Sequence, residues 1–462
     1  MPQLATESLA DHDTPLAKLF PLPLSTVEHF MFLDGRSNYP MLCDVQVELK
    51  GTIERGPFGE ALAFAMQRAP FFRGIIEEDK KRGLLWRLTD RMPTVDWDEY
   101  GIPCTEGYDQ FIDLRSDPGL RVFVRSGGER SSILLHFHHA TADGVGSMVF
   151  VEDLLTAYHN ATPGTKTVRP RRLEPERLLK RCTSNLENPG VVRGLYDVYC
   201  GVRGAYEFFS ERPLPLHAAK PALPADATRR QNGFIRQSCS RETTGALRKL
   251  TSQRKVTLND VFLRDLYLTL HAAIEADGTP VGRRHLRVLM PQSLRGRGDA
   301  AMPTTNDLGF SFIGSRGSLC ERPAELLDNL KVITAAIRKD NLSRHFIGGL
   351  AAVESLGLLP RLLRGQSCFA TAVLTNFGNA WRRFEAKLPL ADGGLAAGNL
   401  VYDCLIGTPP IRPNTAAAFC VTTTMDEIVV CLKHDPFYYP RAESVALLDR
   451  YIRQIEKSAQ SI

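Results

Sequence analysis

The chain has 462 residues, which exceeds the usual limit of one hydrophobic core and predicts about two domains or subdomains. Hydrophobic residues make up 43% and charged residues 24%, proportions that are ordinary for a soluble globular protein. The net charge of +5 is modest for this length. It argues against a dedicated nucleic-acid binder and suits a chain that binds an anionic cofactor.

The sequence carries no feature of a secreted or membrane-spanning protein. Its ten cysteines are scattered without a CxxC pair, so reduced and mostly buried thiols are expected. Residues 1–13 contain acids and no apolar signal core. No apolar run approaches the ~18 residues that a membrane span needs. We therefore expect a cytoplasmic protein with no integral membrane segment.

The first predicted elements are a capped helix, a strand and a second helix. Ser25 and Glu28 form a capping-box pattern, which predicts the start of a helix. Apolar and polar residues alternate from Cys43 to Lys50, and this alternation predicts a half-buried strand. Pro57 begins the next predicted helix, which leads into a turn that contains proline.

A predicted hairpin then leads into a histidine-rich segment. Two apolar runs, 120–125 and 132–137, are joined across Gly127 and Gly128, whose conformational freedom permits a tight connection. The second run continues into His138–Gly144, with the sequence HHATADG, and apolar residues then recur at helical spacing. Alternate side chains of a strand face opposite ways. One histidine can therefore point into a cavity while its neighbour is held by the surrounding structure.

The segment matches the HHxxxDG motif through His138, His139, Asp143 and Gly144, and it resembles the CoA-dependent acyltransferase superfamily. That superfamily includes chloramphenicol acetyltransferase, alcohol O-acyltransferases, wax ester synthase/diacylglycerol acyltransferases and the condensation domains of peptide synthetases. The resemblance implies an α/β (α+β) fold, in which two chloramphenicol-acetyltransferase-like subdomains form a pseudo-dimer with a channel between them. The DFGWG motif of several branches does not occur in this sequence, which leaves the branch open.

The activity implied by the resemblance is acyl transfer in a ternary complex, from a thioester to the hydroxyl or amine of a small-molecule acceptor. Acyl-CoA is the expected co-substrate, O-acyl transfer is favoured, and no bound cofactor is expected. Because a thioester is already activated, the reaction needs a base, an oxyanion donor and correctly placed substrates. His139 is the predicted base, since an imidazole is largely neutral at pH 7. A condensation-domain-like enzyme that uses an acyl or peptidyl carrier protein, and a non-catalytic binding relative, are the alternatives.

The other motif residues are predicted to have structural roles. His138 is predicted to be a hydrogen-bonded structural histidine. Asp143 matches an aspartate that pairs with an arginine, and Arg295 is the expected partner because it ends a PxxxR-like segment that begins at Pro291. Gly144 lets the backbone turn closely behind the histidine.

Two later segments also resemble the superfamily. Thr375 and Asn376 lie in an SNxG-like segment and are candidates for orienting substrate or stabilising the oxyanion; the alternative is ordinary hydrogen bonding at a strand end. Asn306 lies where relatives carry a Gly-Asn pair, but the match is loose and assigns it no role.

Two rival interpretations concern a metal and a membrane. His136 and His138 share a strand face, as zinc ligands can, and with Asp143 they form a rival metal site; the segment offers no further ligand, so no metal is predicted. The leucine-rich run 346–364, which contains Arg361, can be a membrane-surface helix or an acyl-binding wall. An amphipathic core helix is the preferred interpretation.

Changes in composition suggest three regions. Residues 1–165 form an N-terminal subdomain that carries the motif, and residues 229–462 form a C-terminal subdomain. Residues 166–228 are basic and then rich in proline, and we predict that they form a crossover linker. A phosphate-binding basic face on this linker is less favoured than a solvated one.

Overall fold

A computed structural model gives the fold of the chain. It describes residues 14–104, 110–182, 199, 206, 208–220, 233–340, 342–364, 367–391, 393–424 and 426–460. Large parts of the predicted linker 166–228 lie outside these residues.

The described chain contains both strands and helices. The strands are β1 (Leu22–Pro23), β2 (Leu42–Lys50), β3 (Gly74–Asp79), β4 (Gly83–Leu88), β5 (Thr94–Asp98), β6 (Leu120–Gly127), β7 (Arg130–His138), β8 (Ile235–Cys239), β9 (His285–Ser293), β10 (Leu308–Arg316), β11 (Ala372–Gly378), β12 (Leu390–Ala391), β13 (Gly394–Ala397), β14 (Leu400–Thr408), β15 (Ala417–Thr423) and β16 (Ile428–His434). The α-helices are α1 (Thr26–Asp34), α2 (Arg55–Arg68), α3 (Gly144–Ala161), α4 (Arg241–Arg254), α5 (Leu258–Ala276), α6 (Pro323–Asp340), α7 (Leu342–Ser355), α8 (Leu359–Arg364), α9 (Trp381–Phe384) and α10 (Arg441–Gln460). Short 3-10 helices lie at Ala17–Leu19, Pro70–Arg73, Pro175–Lys180, Arg297–Ala301 and Gly317–Glu321.

The strands form three sheets. A seven-stranded sheet has the order β12-β13-β14-β2-β7-β6-β5, and a six-stranded sheet has the order β10-β9-β11-β15-β16-β8. A small third sheet has the order β1-β4-β3. Each large sheet packs against its own helices, with α2 and α3 on the first and α5 and α10 on the second, and so each has its own hydrophobic core. A third apolar cluster contains residues of α1, α7, α8 and β10, and it joins the two halves.

The predicted hairpin that carries the histidines is confirmed. Strands β6 and β7 are antiparallel and in register from Leu120 opposite Phe137 to Gly127 opposite Arg130. Gly128 lies in the connection with a φ of +63°, a conformation that favours glycine. The predicted capping box of α1 is also present, because the Ser25 hydroxyl accepts from the backbone of Glu28.

Strand β2 differs from its prediction as a half-buried strand, because its polar face is buried too. Asp44 and Glu48 are almost completely buried. The reason is that β2 is an inner strand between β7 and β14, and the adjacent β14 contacts β15 and β16 of the other large sheet. Alternation along one strand cannot reveal that a second sheet covers its polar face.

Three strands from the C-terminal region complete the N-terminal sheet. Strands β12, β13 and β14 lie within the predicted region 229–462, yet β14 pairs with β2 over seven register positions from Lys50 to Asp44. Membership of the sheets therefore crosses the predicted boundary.

The predicted amphipathic run 346–364 forms the two helices α7 and α8 rather than one. Ile347, Leu350, Leu359 and Leu363 are buried in the cluster that joins the two halves, as expected of core helices. No helix in the described ranges combines the length and the apolar character needed to cross a bilayer.

Candidate active site

The histidine segment lies where β7 ends and α3 begins. The backbone N–H of His138 donates to the Gly119 carbonyl at 2.9 Å, and that of His139 donates to the Met41 carbonyl at 2.7 Å. Asp143 caps α3 by accepting from the Gly146 N–H at 2.6 Å. The two imidazoles are therefore held between a sheet and a capped helix N-terminus.

The ring of His139 is held in one orientation. Its Nδ1 lies 3.0 Å from the backbone carbonyl oxygen of Ala142, which can only accept, so Nδ1 carries the proton. This tautomer leaves the lone pair on Nε2. Burial lowers the pKa of His139 below its ordinary value of 6.5, against opposing effects of the Ala142 carbonyl and the Asp143 carboxylate. The imidazole is therefore neutral at neutral pH.

His139 lines a pocket, and the residue is 9% exposed. The rest of the wall is mainly apolar and comes from both halves of the chain. It is lined by Phe30, Met31, Met41, Leu289, Pro291, Phe310, Phe312, Phe346, Phe369, Ala370, Val373, Pro409, Pro410, Arg412 and Thr415. His139, with the lone pair of its imidazole on Nε2, thus borders a mainly apolar cavity.

The ring of His138 is held by the backbone N–H of Ala140. Its Nδ1 accepts from the Ala140 N–H at 3.1 Å, and a Cβ added at Gly35 would lie 3.1 Å from Nε2. Burial, and then the neighbouring His139, lower the pKa of His138 to about 3. A ring so tightly enclosed is suited to a structural role.

The structure pairs Asp143 with Arg295. The Asp143 Oδ2 atom accepts from Arg295 Nη1 at 2.7 Å and from the Asp307 N–H at 2.7 Å. Arg295 also donates to the Thr305 carbonyl at 2.7 Å. Since the charged side chains are almost fully buried, the loss of either would leave the other uncompensated.

Asn306 contacts the motif, although the sequence assigned it no role. Its Nδ2 donates to the backbone carbonyl of His139 at 2.7 Å. The loop 305–307 therefore holds both Asp143 and His139. The loose match to the Gly-Asn pair of relatives was the available signal for Asn306.

A buried ionic cluster beneath the motif was not predicted. Asp44 Oδ1 lies 2.7 Å from His136 Nδ1, and Asp44 Oδ2 accepts from Lys433 Nζ at 2.8 Å. Burial alone raises the pKa of Asp44, but Lys433 and then His136 outweigh it and hold the pKa below its ordinary value. Of the rival zinc ligands, His136 is thus bound to Asp44, and Asp143 is bound to Arg295.

Thr375 and Asn376 lie on β11 and face opposite ways. Thr375 shares a strand face with Val373, which lines the pocket. The Asn376 side-chain Nδ2 donates to Asn259 Oδ1 at 2.5 Å, and its side-chain Oδ1 accepts from the Gly378 N–H at 2.6 Å. The structure therefore uses Asn376 for strand-end hydrogen bonding, and Thr375 shares the strand face of Val373 without itself lining the pocket.

The part of the chain that contains this site is similar in sequence to known proteins. A family model for the wax ester synthase/diacylglycerol acyltransferase catalytic domain matches residues 127–273, which include the whole histidine segment. The chain is similar to a putative diacylglycerol O-acyltransferase of Mycobacterium tuberculosis (strain CDC 1551 / Oshkosh), with 26% identity over 244 residues that cover 49% of this chain and 48% of that protein. It is also similar to the phthiocerol/phthiodiolone dimycocerosyl transferase of Mycobacterium bovis (strain BCG / Pasteur 1173P2), with 24% identity over 246 residues that cover 50% of this chain and 55% of that protein. The chain thus spans about half the length of each of these relatives.

A solved structure shows the fold. A double mutant of the starter condensation domain of rhizomide synthetase, in complex with C8-CoA and Leu-SNAC, superposes with a TM-score of 0.63 at 14% identity, covering 98% of this chain and 97% of that one. The predicted α/β fold of two chloramphenicol-acetyltransferase-like subdomains is thereby confirmed.

Proposed function

We propose that this chain, a member of the CoA-dependent acyltransferase superfamily, moves an acyl group from acyl-CoA to the hydroxyl of a small-molecule acceptor. The observation that carries the proposal is the tautomer of His139. Its Nδ1 is bound to the Ala142 carbonyl, so the basic Nε2 is available in a ring that borders the pocket.

The reaction needs no covalent enzyme intermediate. Nε2 of His139 takes the proton of the acceptor hydroxyl as its oxygen attacks the thioester carbon. The tetrahedral intermediate then collapses, the carbon–sulfur bond breaks, and the imidazolium returns the proton to the leaving thiolate. A positioned base of this kind contributes about 100- to 10,000-fold in rate.

Other residues would position the base and stabilise the intermediate. Asp143 and Arg295 hold the loop that follows His139, and they act through structure rather than by contact with substrate. Thr375 is our candidate for the oxyanion donor, because it shares the face of β11 with the pocket residue Val373. Asn376 is not retained for this role, since its amide is already hydrogen-bonded.

The donor and acceptor classes rest on chemistry and on the relatives. The solved condensation domain binds C8-CoA, which supports CoA as the thiol carrier. The name of the mycobacterial relative supports a hydroxyl acceptor over an amine. The nine described cysteines are free thiols, which suits the reducing cytoplasm.

A second candidate follows from the condensation-domain fold. A condensation-like enzyme would take its acyl group from an acyl or peptidyl carrier protein. A binding relative without turnover would keep the pocket and release no thiol.

The test is thiol release from a panel of acyl-CoAs with mixed alcohols and amines, repeated with acylated carrier protein. We expect release with CoA thioesters and alcohols, and a loss of about 100-fold or more in His139→Asn, which removes the base. His285→Asn, which removes a histidine that pairs with Glu211, is the matched control and should retain activity. Release with carrier protein alone would favour the condensation-like alternative, and equal activity of His139→Asn would reject His139 as the base.

A further inference from the structure

The pocket extends from His139 along strand β10. Asn306, whose side chain donates to the His139 carbonyl at 2.7 Å, lies just before β10 begins at Leu308. Phe310 and Phe312 follow on one face of that strand, and both line the pocket. At about 3.4 Å per residue, Phe312 lies ~14 Å along the strand beyond Leu308. The pocket therefore has a near end at the histidine motif and a far end at Phe312.

The far end of the pocket floor is a row of three residues from neighbouring strands. Phe312 lies opposite Leu289 of β9, and Leu289 pairs with Val373 of β11. All three residues line the pocket, and Phe312 is half-buried, so a bound chain can reach its ring. The next register pair on the same face of the sheet is Gly314 opposite Arg287. What lies over that next pair decides where the pocket ends.

A described segment of the predicted linker, residues 208–211, lies over that next pair. Arg287 Nη2 donates to the Glu211 carbonyl at 2.7 Å, and Arg287 Nη1 donates to the Phe208 carbonyl at 3.2 Å. A Cβ added at Gly314 would lie 3.3 Å from Glu211 Oε2, so the missing side chain leaves room for the segment. The linker segment therefore crosses the sheet directly after the far row of the pocket.

The ring of Phe208 supports the pocket from behind. Its centroid lies 4.9 Å from that of Phe312 and 5.5 Å from that of Phe369, which also lines the pocket. Both contacts have the edge-to-face geometry that aromatic pairs favour. The Arg287 guanidinium also holds the ring, with Cζ 5.0 Å from its centroid, whereas the adjacent Phe209 is 58% exposed. Phe312, Phe369 and Phe208 thus form the far wall of the pocket.

We propose that Phe312 and Phe208 set the length of the hydrocarbon chain that the pocket accepts, with the chain along β10 and its terminal methyl group against Phe312. The inference rests on the proposed function and names residues that determine its specificity. Each methylene group buried before the far wall adds to the affinity. A chain that is longer by one methylene would have to displace the packed rings, which is unfavourable. The accepted chain therefore has an upper length limit.

The chain can belong to the acyl group or to the acceptor, and the experiment has an arm for each. The acyl arm measures thiol release from saturated acyl-CoAs, from butanoyl-CoA to octadecanoyl-CoA, with one short alcohol. The acceptor arm measures thiol release from acetyl-CoA with primary alcohols from butanol to octadecanol. The readouts are kcat/KM as a function of chain length and, without turnover, the calorimetric Kd of the same compounds.

In one arm, kcat/KM and the affinity should rise about fourfold with each methylene up to one length and fall beyond it. Phe312→Ala and Phe208→Ala each leave a cavity at the far wall and should move the limit to chains longer by about two carbons or more. Leu289→Phe adds bulk to the far row without a cavity and should move the limit to shorter chains. Phe209→Ala changes the exposed neighbour and is the matched control, which should keep the wild-type limit.

The outcomes separate this inference from the proposed function. The role of the far wall is overturned if neither kcat/KM nor Kd shows a length limit in either arm, or if the folded variants all keep the wild-type limit. An equal shift in Phe208→Ala and Phe209→Ala overturns the role of the Phe208 ring. A limit in Kd that moves with the far-wall variants, without thiol release from any thioester, supports the far wall and contradicts the acyl transfer.

Discussion

Adjacent histidines have different chemistry here because their Nδ1 atoms have different partners. Nδ1 of His138 accepts a hydrogen bond from a backbone N–H, whereas Nδ1 of His139 donates to a backbone carbonyl. Only the second arrangement leaves a basic Nε2 beside the pocket. Strand alternation in the sequence predicted that one ring faces a cavity and the other is held by structure. The tautomers depend on turn geometry that the sequence does not specify.

The burial of His139 should be visible in the pH dependence of the proposed acyl transfer. Burial holds the pKa of His139 below 6.5, so the imidazole stays neutral to a lower pH than a free one. Activity needs the neutral ring and is lost as the pH falls through the pKa of the folded protein. We therefore expect the acid limb of kcat/KM, measured by thiol release between about pH 5 and 8, to lie below 6.5.

The residual activity of His139→Asn provides the control for this profile and should lack the limb. An acid limb at or above 6.5 in the wild type would contradict a buried, neutral base.

Residues that match a short motif were predictable, and residues defined by distant partners were not. Arg295 could be assigned because its segment has a recognisable spacing, and the structure brings it to Asp143 at 2.7 Å. Lys433 had no such signal, since its partner Asp44 lies 389 residues away in the sequence. Arg412 was missed for the same reason, because Asp34 and the pocket meet it only in the folded chain.

At the level of elements, the start of α3 depends on two glycines in very different surroundings. A Cβ at Gly144 would lie 2.4 Å from Cε1 of the Phe377 ring, which also lies against Gly407. A Cβ at Gly146 would lie 2.4 Å from the backbone carbonyl oxygen of Thr305. A ring can turn aside, whereas the carbonyl belongs to the loop that holds Asp143. The sequence predicted a close turn at Gly144 and assigned nothing to Gly146.

Substitution by alanine should therefore destabilise the protein more at Gly146 than at Gly144. Alanine normally stabilises a helix relative to glycine by about 1 kcal/mol, but overpacking costs about 1–3 kcal/mol and reverses the sign. The free energies of unfolding of Gly144→Ala and Gly146→Ala, measured in urea, show which substitution destabilises the protein more. Phe377→Leu should restore stability to Gly144→Ala and not to Gly146→Ala. Equal losses of stability in the two variants, or rescue of both by Phe377→Leu, would contradict the contacts of the two glycines.

At the level of the whole molecule, local pattern predicted the elements and not their assembly. The hairpin β6–β7 and the cap of α1 follow from neighbouring residues, and both are confirmed. The pairing of β14 with β2 joins segments more than 300 residues apart, and only the folded chain shows it. The same assembly buries the polar face of β2, where Asp44 meets Lys433.

Lys433 connects the two large sheets beneath the candidate active site. It projects from β16, and its Nζ donates to Asp44 at 2.8 Å and to the Leu42 carbonyl at 3.0 Å, both on β2 of the other sheet. Leu42 is the register partner of His138, and the adjacent Met41 carbonyl accepts from the backbone of His139. The Lys433 ammonium group therefore fixes the end of β2 that contacts the histidine motif.

Removal of this charge should weaken the connection between the halves and the activity together. Lys433→Met leaves the Asp44 carboxylate buried without its cation, and breaking a buried pair costs about 3–5 kcal/mol. Asp44→Asn in the same chain removes the uncompensated charge and should recover part of the free energy of unfolding, measured in urea, and part of kcat. Lys249→Met, at an exposed site on α4, should change neither quantity. If the double variant were no more stable than Lys433→Met, the pair would contribute by packing and not by charge.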